Sequence, residues 1–270
     1  MLLTPEELQS NLNRMRESVA KAQCCSPINV QELSARRAAE GMPLCHATPE
    51  TRLAKVLASG AILSPDQRGE RPRDADVAIE GGDEVCFYLG SAAFPQNEFA
   101  FLFSDGLTEA ARGQASATPF DSGGCLWRYP LPSGVDGLTH VKAHSMPVPE
   151  CRHYLGDLLA TCFEGALAYL SGRAFTCPIC KKQLPDPHGM TEIDDHALIR
   201  MHEVRIRGRV DLQAPLLHAV FAPKGNVPPA LAPLISSGVK LVTYDKDSGK
   251  DRTKALRKAS VDYIIGNLLN

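Results

Sequence analysis

Two stretches of this chain carry residue types whose spacing could do chemistry. The first is Met201–Leu212, MHEVRIRGRVDL, which alternates strictly between apolar and charged residues. Alternation of period two predicts a strand with two unlike faces. Val204, Ile206 and Val210 take one face, while Glu203, Arg205, Arg207 and Arg209 take the other. A solvated strand face can carry such charges, each exposed pair adding only ~0–1 kcal/mol. A carboxylate heading a row of arginines is also a site for an anionic ligand. The second stretch is Phe175–Leu184, FTCPICKKQL. Cys177 and Cys180 are spaced for two thiolates to grip one Zn²⁺ in a knuckle turn. A second pair is needed, and the candidates are His188 and His196 downstream or Cys151, His153 and Cys162 on the preceding segment. Four protein ligands would make such a zinc structural, with no open position for a reaction. The other reading is two loop thiols without metal.

The elements that must position these residues follow from local signals. Thr4-Pro5-Glu6-Glu7 has the form of a helix start, with Thr4 as cap and Glu7 closing a capping box. Leu8, Leu12, Met15 and Val19 then form an apolar stripe. Residues 29–40 predict a second helix capped by Asn29. Residues 41–49 (GMPLCHATP) read as a strand into a turn, followed by a helix that ends at Gly60. Asp66–Asp83 is charged, rich in Gly and Arg, and predicts a long loop. Glu84–Gly90 and Glu98–Ser104 are buried strands. Asp121-Ser122-Gly123-Gly124 gathers a hydroxyl, a carboxylate and open backbone amides; a plain turn is the first reading and a functional loop the second. Trp127–Pro132 and Gly137–His144 are predicted extended, Pro149–Gly172 one long helix, and DDHALIR (194–200) a short one. Strands at Leu216–Ala222 and Val239–Tyr244, a Pro-started helix near 228–236 and a last helix over 251–268 complete the chain. Its KDSGKDRTKALRK run alternates charge sign, as a solvated helix face does.

At 270 residues the chain can bury a substantial core. A net charge of −2 gives no whole-chain signal for nucleic acid, which leaves only a local basic patch as a route to it. No apolar run reaches the ~20 residues that span a bilayer. The N-terminus lacks a basic region followed by an apolar core, and the nine cysteines are scattered. The expectation is a cytoplasmic protein with no membrane partner.

Three motifs in order support a resemblance. LCHATPETRLAKVLASGAILSP (44–65), EVCFYLGS (84–91) and HEVRIRGRVDLQAPLLHAVFAP (202–223) resemble the core elements of the ADP-ribosyltransferase superfamily. The likeness is to its His–Tyr–Glu branch, which includes the poly(ADP-ribose) polymerases and DarT-like enzymes. The resemblance implies an α+β fold with a split β-sheet and flanking helices. It assigns residues 1–40 to an N-terminal helical extension and 41–270 to the transferase-like domain, with a zinc-knuckle-like insertion at about 173–198. It implies NAD as substrate and Glu203, Tyr88 and His46 as catalytic residues. His46 would bind ribose, Tyr88 would stack on nicotinamide, and Glu203 would hold the nicotinamide ribose. His46, Thr48, Tyr88 and Arg205 would line the NAD site. The acceptor would be a protein, a nucleic acid or water, and the role that of a toxin or antiviral defence effector.

Each residue also has a plainer reading. A His beside Leu44 and Cys45 is often a semi-buried residue with a local partner, and a strand tyrosine is core by default. Two rival functions remain beside the transferase. CPICKKQL followed by EIDDHALI also resembles the start of an HNH nuclease with His196 as general base, although the next asparagine, Asn226, is far downstream. The other rival is a zinc-stabilised binding protein without catalysis.

Overall fold

The computed structural model describes residues 3–71, 77–78, 82–92, 97–110, 115–127, 131, 133–190, 200–246 and 252–269. Residues 72–76 and 79–81 of the expected loop, residues 128–130 and 132 of the segment expected to be extended, and residues 191–199, with His196 and all but the last residue of the expected DDHALIR helix, lie outside them.

The chain opens with α1 (Pro5–Ala22), where the Thr4–Glu7 capping box forms in both directions. Helix α2 (Asn29–Glu40) follows, and its cap residue is Ile28 rather than Asn29; Gln31 Oε1 accepts the Ile28 N–H at 3.3 Å. Next come β1 (Leu44–Thr48), α3 (Glu50–Ser59) and β2 (Ala61–Leu63). Gly60 takes a left-handed φ of 64°, which ends α3 at the predicted place. Strands β3 (Glu84–Leu89) and β4 (Phe99–Phe103) lead to α4 (Gly106–Ala110), β5 (Ala115–Thr118) and α5 (Ser122–Trp127). The Asp121–Gly124 turn is thus the start of a short helix.

Residues 137–144 are not extended as the sequence reading has them. They form α6 (Gly137–Ala143), because Asp136 accepts the Thr139 N–H at 2.8 Å and caps it. After β6 (Met146–Pro147), the expected long helix is two: α7 (Val148–Thr161) and α8 (Ala166–Leu170). The break falls at residues 162–165, where Gly165 has φ 88° and Cys162 and Phe163 turn fully into the core. The 201–212 strand also divides. Gly208, at φ 78°, separates β7 (Glu203–Arg207) from β8 (Arg209–Asp211), and its N–H donates to Asp83 O at 2.7 Å. The chain closes with β9 (Leu217–Pro223), a 3₁₀ turn over Pro229–Leu231, α9 (Ala232–Ser236), β10 (Lys240–Tyr244) and α10 (Arg252–Asn267).

The architecture is α+β. One sheet runs β10-β9-β4-β1-β3-β7-β5-β6, and β2 pairs with β8 in a second. Only β10–β9 is parallel among the pairs of the large sheet. Strand β1 pairs with β4 over five residues but with β3 over two, Leu44↔Leu89 and Cys45↔Tyr88. Beyond Cys45 the two strands part, so the sheet is split beside His46. The apolar face, with Leu44, Phe87, Leu89, Phe101, Phe103 and Val204 buried, fills the main core.

Helices α1 and α2 lie on α7. Asn11 Nδ2 donates to Lys142 O (2.8 Å) and Ser145 O (3.0 Å). The buried Arg152 reaches the carbonyls of Ala39, Glu40 and Met42 at the end of α2, where the helix leaves acceptors unfilled. No helix among the described residues is long and apolar enough to cross a membrane.

Gly90, which closes β3, has φ 120°, and a Cβ there would meet Leu170 Cδ2 at 2.7 Å. Gly90→Ala is therefore expected to cost ~1–3 kcal/mol in urea unfolding, combining backbone strain with overpacking.

Candidate active site

The split in the sheet sets the geometry of the site. Cys45, Tyr88, Glu203 and Thr118 are cross-strand partners along one rung through β1, β3, β7 and β5. Directly opposed residues point to the same face, so Tyr88 and Glu203 are side by side. This rung ends one face of the sheet on which Glu84, Cys86, Arg205 and Ser116 also lie, by the same register.

Glu203 is buried at 2 % exposure, and a carboxyl this deep must be satisfied locally. Ser122 donates its backbone N–H to Oε2 (3.0 Å) and its hydroxyl to Oε1 (2.8 Å). Arg205 Nε stands 3.7 Å from Oε1. Burial, with Asp121 close by, outweighs Arg205 and Ser122 and raises the Glu203 carboxyl to about 8. The 202–209 charge row is thus not a uniform solvated face. Glu203 and Arg205 are sealed, Arg207 is half-buried and Arg209 is exposed, where it pairs with Asp211.

Arg205, expected to line the NAD site, is held inside the protein. Its Nη1 lies 3.5 Å from Glu84 Oε2 and its Nη2 donates to Ser116 Oγ at 3.1 Å. At 1 % exposure it braces two carboxyls and offers no free fork to a ligand.

Tyr88 packs in a buried cluster with Phe120, Cys125, Val141, Met190 and Met201. Helix α5 and the residues before it therefore cover both Tyr88 and Glu203. His46 lies one residue beyond the rung, on the opposite parity, with its ring 5.6 Å from that of Phe87. It is half-buried at the point where β1 and β3 part, and Nδ1 lies 2.9 Å from Cys86 O. A carbonyl only accepts, so Nδ1 carries the proton and Nε2 is left as an acceptor. Burial first, then Arg68 and Arg52, lower His46 to about 4 against the pull of the Cys86 carbonyl, so the ring is neutral at pH 7. At the rung, where β1 still pairs with β3, two strand spacings, roughly 10 Å, separate the backbones of β1 and β7. Thr48, two residues along β1 from His46, is buried opposite Phe99.

Several residues of this neighbourhood escaped the sequence reading. Ser122 and Asp121 looked like turn residues, and only the fold brings them to Glu203. Arg68, inside the expected loop, donates to Leu63 O and to Glu70 Oε2 (3.0 Å). Arg52 and Lys55 also reach Glu70, at 3.6 and 3.5 Å, so three cations surround one carboxylate near His46. Behind the rung, His202 N–H donates to Tyr169 Oη (3.1 Å), and Tyr169 donates to Leu89 O (2.8 Å), fixing the approach to Glu203.

The metal candidates separate. Cys177 and Cys180 meet Cys24 and Cys25, and the four sulfurs lie within 4.8 Å of one another. His188 is elsewhere, with Nε2 2.8 Å from Tyr154 Oη and Nδ1 3.3 Å from Asp186 Oδ1. Cys151 and Cys162 are buried in the core and His153 faces Glu150. Asn226, needed by the nuclease reading, is bonded to Glu50 Oε1 at 2.9 Å, on the β9–α9 connection.

Comparison with solved structures returns DarT from Thermus sp. 2.9 in several complexes. The structure with NAD⁺ has a TM-score of 0.42 and 11% identity over 76% of this chain and 96% of that one. The complex with ADP-ribosylated ssDNA has a TM-score of 0.42 and 10% identity over 76% and 94%. The carba-NAD⁺ complex has a TM-score of 0.39 and 10% identity over 76% and 95%. No family model and no curated protein matches the sequence.

The Glu203 shift gives a stability prediction. A carboxyl raised in the folded state contributes stability that is complete below its unfolded value and is lost as pH rises towards about 8. Glu203→Gln keeps the shape and cannot ionise. It is expected to raise Tm at pH 9 by ~2–4 °C or more, the equivalent of about 1 kcal/mol, and to leave it nearly unchanged at pH 5. Thermal unfolding of both proteins across this range is the check; a Tm difference that does not vary with pH contradicts the burial argument.

Proposed function

We propose that this protein transfers ADP-ribose from NAD to an acceptor, with release of nicotinamide. The observation that carries the reading is the shared rung of Tyr88 and Glu203 beside the split that exposes His46. In the proposed reaction the bond between C1′ of the nicotinamide ribose and the ring nitrogen breaks, and its electron pair neutralises the pyridinium. C1′ becomes cationic and bonds to an acceptor nucleophile, which gives up its proton. Glu203, ionised, accepts from the ribose hydroxyl and stabilises the positive ribose. Tyr88 supplies the face on which nicotinamide stacks. Neutral His46 accepts a ribose hydroxyl at Nε2. Arg68 and Arg52, near His46, are the cations best placed for the pyrophosphate, in place of Arg205. Arg205 and Ser122 position the carboxyl.

Glu203 and Tyr88 are covered by the segment that carries Phe120 and Ser122. Substrate entry in this proposal requires that segment to move. Trp127, the chain's single tryptophan, is the last residue of α5. NAD is expected to change its fluorescence with a saturable dependence, and an unaltered spectrum at millimolar NAD opposes the proposed entry route.

Nicotinamide release measured by chromatography tests the chemistry. Glu203→Gln is expected to lower kcat by ~10²–10³, the usual cost of one preorganised charge, and full retention of activity removes the mechanism. Because kcat/KM reports the free enzyme, it should rise with pH and level off near 8, where Glu203 ionises. Mass spectra of single-stranded DNA and of protein acceptors after incubation with NAD then separate the acceptor classes. A toxin or antiviral role, implied by the sequence resemblance, belongs to the same proposal. Induced expression in bacteria should arrest growth, and Glu203→Gln should abolish the arrest.

A further inference from the structure

We propose that Cys24, Cys25, Cys177 and Cys180 hold one zinc ion in a closed four-thiolate site that fastens the α1–α2 connection to the Phe175–Leu184 hairpin. The inference stands apart from the NAD chemistry and uses none of its residues.

The hairpin is shaped as a metal knuckle before any ion is considered. Thr176 and Gln183 form an isolated antiparallel bridge. Cys177 N–H donates to Lys182 O (2.9 Å), Lys181 N–H donates to Cys177 O (3.0 Å), and Leu184 N–H donates to Phe175 O (2.9 Å). Lys181 turns the chain back with φ 62°, a conformation that non-glycine residues enter only where something holds it. The backbone amides of Ile179 and Cys180 point at the Cys177 sulfur. Amides converging on a sulfur from the residues after it are the preorganised environment of a metal-bound thiolate.

The second pair arrives from the far end of the chain. Cys24 Sγ lies 3.3 Å from Cys180 Sγ and 3.9 Å from Cys25 Sγ, and all four sulfurs fall within 4.8 Å. Tetrahedral Zn²⁺ with bonds of ~2.3 Å places its sulfurs about 3.8 Å apart. The cluster is therefore close to the dimensions of such a shell. None of the four cysteines is joined in a disulfide. Thiolate ligands alone select zinc over hard cations such as Mg²⁺ or Ca²⁺.

The place in the fold gives the ion its role. Little apolar surface closes this junction: Cys24 and Cys180 are exposed and Ile28 is 61 % exposed. The hairpin, by contrast, is rooted in the core through Phe175, whose ring lies 4.9 Å from Phe163 and 5.9 Å from His188. A metal bridging residues this distant in sequence closes a long loop, and its binding energy becomes folding energy. With four protein ligands it leaves no coordination position for substrate.

Elemental analysis of the full chain, purified without added chelator, is expected to give about one zinc per molecule. Replacement by Co²⁺ should produce the visible bands of a tetrahedral thiolate complex. Chelation should make four thiols newly reactive and lower Tm. Cys25→Ser and Cys180→Ser should each lower the zinc content at least tenfold, whereas His153→Ala, at an exposed former candidate, should keep it. Readouts on the wild type keep the proposal falsifiable if the cysteine variants fail to fold. Substoichiometric zinc with the four thiols freely titratable overturns it. So does an intact mass showing disulfides among these cysteines in protein purified without oxidant.

Discussion

A carboxyl group sealed in the middle of a sheet constrains this structure more than any other single feature. Glu203 is buried with its proton retained up to about pH 8, and with Ser122 supplying two donors and Arg205 a nearby cation. An uncompensated charge at that depth would cost several kcal/mol. The arrangement ties α5 to β7, and it ties Arg205 to a second buried carboxyl, Glu84, and to Ser116 on β5. Three strands, β3, β7 and β5, and a helix are thus held to one register by a polar face that a purely apolar sheet would not need.

The same constraint explains the division of labour between the two faces. The apolar face, from Leu44 through Phe87 to Val204, closes the core in the ordinary way. The polar face carries Tyr88 and Glu203, with His46 on the other parity at the gap, and part of its cover is a helix of only six residues. A short cover has few contacts to lose and is a natural moving part. The gap between β1 and β3 adds a second way in, where His46 takes up a carbonyl that a continuous ladder would have paired.

The thiol cluster deals with a different shortage. Helices α1 and α2 lie on α7, and where their connection crosses to the hairpin Cys177 is buried while Cys24 and Cys180 are exposed. Distant residues meeting there need a strong directional bond, and the structure supplies thiolate geometry in place of a core. The same hairpin leads through Phe175, His188 and Tyr154 towards His202, the residue before Glu203. The two polar centres are therefore joined by one packed path of rings.

Local patterns determined a large part of this. The capping box at Thr4, the left-handed stop at Gly60, the alternation at 203–207 and the CPIC knuckle were all legible, because each depends on neighbours a few residues apart. The readings that failed were those where a distant partner overrides local preference. Asp136 caps a helix in a segment composed like a strand, and Gly165 breaks a helix whose apolar spacing runs on because Cys162 and Phe163 must turn inward. Sequence singled out Glu203, Tyr88 and His46, but it could not tell that Arg205 would be enclosed with Glu203 and leave Arg68 and Arg52 on the His46 side. Nor could it pair Cys177 and Cys180 with Cys24 and Cys25. Spacing along the chain says which atoms can share a turn; only tertiary packing says which atoms share a volume, and both centres here are made of residues that meet across the fold.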